Sequence, residues 1–160
     1  MDIIEKLIAG HHEVKERVDI LSKVVKTLDS DAFIWDNVLK ISSFFDKEVK
    51  EHFKLEEKVL FPIMKKVLPK EKQEILKEIE LEHKPILKML EEFKKIAEKH
   101  SNLSSRLIRE NFIAISHDII ENLIAHARKE DENLFPLIKI YFSKENYKEL
   151  EDAYFKYLKV

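Results

Sequence analysis

An eleven-residue block occurs twice in this chain, and the repetition limits what the chain can fold into. His52-x-x-x-Glu56-Glu57-x-x-Leu60-Phe61-Pro62 returns 74 residues later as His126-x-x-x-Glu130-Asp131-x-x-Leu134-Phe135-Pro136. On a helix, residues four apart lie about 40° apart around the axis, so each His shares a face with its Glu. Two such helices facing each other bring two imidazoles and two carboxylates to one interior point. Carboxylates without partners are costly in a helical core. A metal ion at that point removes the cost.

The rest of the chain favours helices. It has a single Gly (Gly10), four Pro, and abundant Lys, Glu, Ile and Leu, which indicates an all-α protein. A first helix is expected from about Asp2 to Thr27, with Ile4, Leu7, His11, Val14, Val18, Leu21, Val25 and Leu28 in its apolar stripe. Asp29, Ser30 and Asp31 offer caps for a second helix, about Ala32 to Leu68. Its inward positions are Val38, Ile41, Phe45, Val49 (or Glu48), His52, Glu56, Val59 and Ile63, and Pro62 is expected to bend it. Pro69 suits the first turn of a third helix that continues to about Lys99, with a kink expected at Pro85. His100-Ser101-Asn102 closes it, and a fourth helix runs from about Leu103 to Tyr141. Ser143 caps a short fifth helix, about Lys144 to Leu158, with Tyr147, Leu150, Tyr154 and Tyr157 or Leu158 on one side.

The first and third helices also match. Leu7-x3-His11-x2-Val14-x3-Val18-x2-Leu21 parallels Ile79-x3-His83-x2-Ile86-x3-Leu90-x2-Phe93. The chain therefore reads as a duplicated two-helix unit. Short connections favour antiparallel neighbours, so the expected fold is an up-down-up-down four-helix bundle over about residues 2–141. With the fifth helix, residues 1–160 are expected to form a single domain.

The inward polar set is His11, His52, Glu56, His83, His126 and Glu130. Four imidazoles and two carboxylates exceed one tetrahedral zinc site. They suit two ions, with each His a terminal ligand and the two Glu bridging. Nitrogen and oxygen ligation without thiolate suits iron or manganese, and zinc also fits. His12 competes with His11, but only His11 is in register with Leu7, Val14 and Val18. His117 is half a turn out of phase with His126 and is expected to face away, and His100 reads as structural or solvated. Glu57 and Asp131 read as surface acids that could also accept a proton from a ligand His. Phe61 and Phe135 are expected to seal the end of the site with apolar surface.

These motifs resemble the hemerythrin-like, or HHE cation-binding, domains, over about residues 1–140. The resemblance implies a four-helix bundle holding an oxo- or hydroxo-bridged di-iron centre with the six ligands named above. It also implies roles in binding dioxygen, sensing oxygen or iron, handling nitric oxide, or repairing iron–sulfur centres. Two departures matter. Oxygen-carrying hemerythrins have His-x-x-x-His on the third helix, where this chain has Leu87. They also use an Asp five residues after the fourth-helix His, a spacing that Asp131 occupies, whereas internal symmetry favours Glu130.

The expected function is non-haem di-iron binding of dioxygen or a related diatomic, as a binding protein rather than an enzyme. One alternative is a nitric oxide or peroxide reductase, or an iron donor in iron–sulfur repair. Another is a structural zinc module. A net charge of -2 gives no case for nucleic acid or anionic membrane. No apolar run approaches the ~20 residues of a transmembrane helix, and no targeting signal is visible, so a cytoplasmic location is expected. Cys is absent, which excludes thiolate ligation. The aromatic stripe of the fifth helix is expected to cover the bundle or to make a homodimer contact, and a separate protein partner is a further expectation.

Overall fold

The computed structural model describes residues 2–30, 35–99 and 105–159, and every described element is a helix. Helix α1 spans Ile3–Lys26. Asp2 caps it by accepting from the Glu5 amide while the Glu5 side chain reaches back, a capping box that satisfies two otherwise free amides. Helix α2 covers 35–67, α3 is Gln73–Lys99, α4 covers 106–141, and α5 is Lys144–Leu158. The expected cap at Asp31, the start at Ala32, the stop at His100-Ser101-Asn102 and the start at Leu103 lie outside the described residues.

Pro69 lies just outside its expected place in the helix. Pro69 stands before the first turn of its helix, with extended backbone, and Lys70–Lys72 form a 3-10 turn ahead of α3. Helix α3 continues through Pro85. Pro85 cannot donate to the carbonyl of Leu81, but Leu81 is exposed, so water can satisfy that group. Pro62 and Pro136 each follow a π turn, Glu56–Leu60 and Glu130–Leu134. The missing N–H and ring bulk of proline disturb the turn before it, and here the backbone widens there. A third π turn, Phe45–Val49, has no proline and no counterpart in α4.

Helix α1 packs against α2 and α4, and α3 packs against the same two. The core divides into two apolar clusters. One includes Leu7, Phe61, Met64, Ile79, Phe135 and Leu150. The other includes Val18, Phe45, Phe53, Phe93, Phe112 and Ile119. Burying each such side chain is worth about 1.5–3 kcal/mol. The α1 stripe is shifted slightly from the sequence reading: Ile3 and Val24 are buried, while Ile4, Val25 and Leu28 are half-buried. In α2, Val49 is the buried alternative and Glu48 is exposed. Leu150 anchors α5, Tyr157 is half-buried, and Leu158 points to solvent.

Candidate metal centre

Between the two apolar clusters the core turns polar. His11, Glu56, His83, His126 and Glu130 are buried there, and His52 is only 10% exposed. Each of the four bundle helices supplies at least one of these groups. Two compact sets result, His11–His52–Glu130 and Glu56–His83–His126, with ligand atoms within 4.8 Å of one another in each. The carboxylates reach across both sets. Glu56 lies 3.2 Å from His83 Nε2 and 3.6 Å from His52 Nε2. Glu130 Oε1 lies 3.1 Å from His11, 3.4 Å from His126 and 3.8 Å from His52, each at Nε2.

The outer ring nitrogens explain which way the imidazoles present themselves. His11 Nδ1 bonds to Asp131 at 2.8 Å, and His83 Nδ1 bonds to Glu57 at 2.8 Å. His126 Nδ1 bonds to Glu82 at 2.9 Å. An ionised carboxylate can only accept, so each of these rings donates from Nδ1. In the neutral ring that leaves a lone pair on Nε2, aimed inward. Carboxylates behind ligand imidazoles are the usual device for fixing tautomer and orientation.

The inner atoms then lack partners. His52 Nε2, His83 Nε2, His126 Nε2, both oxygens of Glu56 and Oε2 of Glu130 are buried without a hydrogen bond. Each unmet group of this kind costs about 1–3 kcal/mol. A metal cation satisfies imidazole lone pairs and carboxylates together, so the donor set fits a metal. Without it, the two carboxyls are tightly coupled. Burial pushes Glu56 well above the usual carboxylate value, reinforced by the neighbouring charge of Glu130. Burial opposes ionisation of Glu130 too, but Glu56 and His11 beside it hold it well below that value. The two carboxyls therefore titrate as a pair and not independently. Burial lowers His52 and His83. Burial also acts against His11, but Glu130 and Asp131 outweigh it and raise the ring's affinity for a proton.

Aromatic rings wall the site. Phe135 stacks on His11 at 5.6 Å between centroids, and Phe61 lies over His83 at 5.8 Å. Phe53 stacks on His83 at 3.9 Å and meets His126 edge-on. All six sequence-expected residues meet in this layer. His12 and His117 are exposed, away from it. Asp131 stands behind His11 rather than among the buried inner groups, and Glu57 does the same for His83. Leu87 packs at the edge of the second apolar cluster.

Sequence reasoning missed Glu82, Phe53 and the role of Gly10. An added Cβ at Gly10 would lie 2.8 Å from His52 Nδ1. A glycine within a helix costs about 1 kcal/mol relative to alanine, and that misfit was the available signal.

A helical bundle with a buried His/Glu cation site defines a class of metal-binding domains. The family model of the hemerythrin HHE cation binding domain matches residues 2–152, and the chain belongs to that family. A comparison with curated proteins finds no match.

Proposed function

We propose that residues 1–160 form one domain, an up-down-up-down four-helix bundle with α5 at one end, holding two iron ions. Ion pairs support the alternation: Asp46–Lys94 and Lys65–Glu80 link α2 to α3 in opposite chain directions, as His126–Glu82 and Lys129–Glu78 do for α3 and α4. The ligands are His11, His52, Glu56, His83, His126 and Glu130, with the two Glu shared between the ions. The observation that carries this reading is the ring of six inward atoms without partners. Nitrogen and oxygen donors without thiolate favour iron, with manganese or zinc as other occupants.

The centre's role is binding dioxygen or a related diatomic for storage, redox binding or sensing. Bound iron supplies reversible one-electron chemistry and an attachment point for the diatomic. The protein's residues do the rest. Asp131, Glu57 and Glu82 hold His11, His83 and His126 in the tautomer that presents Nε2. Phe61, Phe135 and Phe53 exclude water from the imidazoles. Among the described residues no helix is long and apolar enough to cross a membrane.

The test is metal content with an optical spectrum, taken reduced and then in air. Two irons per chain are expected, with oxo-to-iron bands that appear on oxidation and reverse when oxygen is removed. The double variant Glu56→Ala, Glu130→Ala is expected to lose the dinuclear site, and two retained irons would refute the ligand assignment. Catalytic turnover of nitric oxide or peroxide with a reductant would make the protein a reductase instead. Zinc alone, with no bands after iron reconstitution, would leave a structural module.

A further inference from the structure

The internal repeat makes the two ligand sets comparable residue by residue, and the surroundings do not match. The pairing of His11 with His83 puts Gly10 opposite Glu82. The pairing of His52 with His126 puts Leu55 opposite Lys129 and Phe53 opposite Ala127. On one side, Glu82 accepts from His126 Nδ1 at 2.9 Å and is itself gripped by Lys129. Phe53 stacks on His83 of the same set. On the other side, Gly10 has no side chain to place behind His52, and there is no room for one, since an added Cβ would lie 2.8 Å from His52 Nδ1. A groove of about 1130 Å³, lined by Ile4, Ile8, Phe135 and Tyr154 among others, also reaches Asp131, behind His11.

We propose that the two ions are held unequally: the ion at Glu56, His83 and His126 binds first and more tightly, and the ion at His11, His52 and Glu130 binds second and exchanges first. The proposal rests on the two-ion reading above. Glu82 makes His126 the stronger, better-oriented donor, and Gly10 leaves His52 without that support. Loss of such a carboxylate partner typically costs 10–100-fold in metal affinity. Glu82 is a positioning residue, acting through His126.

The experiment is titration of the metal-free full chain with Co(II) against a chelator of known affinity, followed by visible absorption, with far-UV circular dichroism to confirm folding. Two ions are expected, the first about 10–100-fold tighter than the second. Glu82→Ala is expected to weaken the first step by about that factor and leave the second alone, while Glu82→Gln, which keeps an acceptor oxygen, recovers most of the loss. His52→Ala is expected to keep one tight ion, and His126→Ala only a weak one. Two ions of equal affinity, the reverse pattern in the His variants, or an equal loss at both steps in Glu82→Ala would overturn the inequality with the two-ion centre intact. A wild-type chain that takes one ion or none would overturn the two-ion reading itself, and this inference with it.

Discussion

The two apolar clusters that flank the metal layer draw on the same four helices, with Leu150 of α5 added to one of them, yet their large rings obey the internal repeat differently. In the cluster beside α5, the Leu-Phe-Pro stretches and the turn after them carry like residues: Leu60 and Leu134, Phe61 and Phe135, Ile63 and Leu137, Met64 and Ile138. In the far cluster the aliphatic positions also keep the repeat, as Ile41 and Ile115 or Val49 and Leu123 do, but the large rings do not: Phe45 corresponds to Ile119, Phe112 to Val38, and Phe93 to Leu21. The near cluster includes rings that touch His11 and His83, so shape is constrained on both halves alike. Apart from Phe53, which stacks on His83, the described residues of the far cluster only have to fill space. Its aromatics pack on one another, Phe45 on Phe93 at 5.6 Å and Phe93 on Phe112 at 5.7 Å. Cores tolerate such redistribution provided total volume and pattern are kept.

The largest effect should come from truncating one fully buried ring on each side. Phe93→Ala and Phe61→Ala each remove a side chain with no exposure, at a cost of about 3–5 kcal/mol. Denaturant unfolding of the metal-free protein should show similar losses. Metal retention should separate them: Phe93→Ala keeps its ions, whereas Phe61→Ala, having uncovered His83, releases them faster to a chelator. Equal release from both would mean that the near cluster has no special relation to the site.

This contrast also explains what was legible in the sequence. The ligand residues were readable because a helix converts spacing into direction, so His52 and Glu56, or His126 and Glu130, announce a shared face. Glu57 and Asp131 were half-readable, since their placement after a bridging Glu marked them as candidates but not which ring they would meet. Glu82 was not readable as the partner of His126, because that bond joins different helices at a separation of 44 residues. The π turns were missed for another reason. Proline at 62 and 136 signals disturbance of a helix, but bending and local widening both accommodate it, and periodicity does not choose between them.

A smaller effect should follow from loosening α5, which belongs to the near side alone. Ser143 accepts from the Asn146 amide and Asn146 bonds back, a capping box at the start of that helix. Ser143→Ala should cost about 1 kcal/mol. Amide hydrogen exchange should speed up in α5 and remain unchanged in α3. Uniform acceleration throughout the chain would show that α5 unfolds only with the whole bundle.

The smallest effect concerns the other end of α5 and depends on pH. Tyr157 donates its hydroxyl to Glu51, the residue before His52, and so ties α5 to α2 near the metal layer. Partial burial, then the bond and charge of Glu51, raise its pKa from 10.0 to about 12. A group raised on folding stabilises the protein fully below its unfolded value and loses that contribution as pH climbs through the folded one. The tie should therefore hold in full below pH 10 and fade towards about 12. The difference in phenolate absorbance between the wild type and Tyr157→Phe isolates this one tyrosine from the other three. Its midpoint should fall near 12, and the stability advantage of the wild type over the variant should vanish over the same range. A midpoint at 10.0 would mean that Tyr157 does not bond Glu51 in solution. Leu150 and the cap at Ser143 would then be what hold α5 in place, and the near cluster would be closed by apolar packing alone.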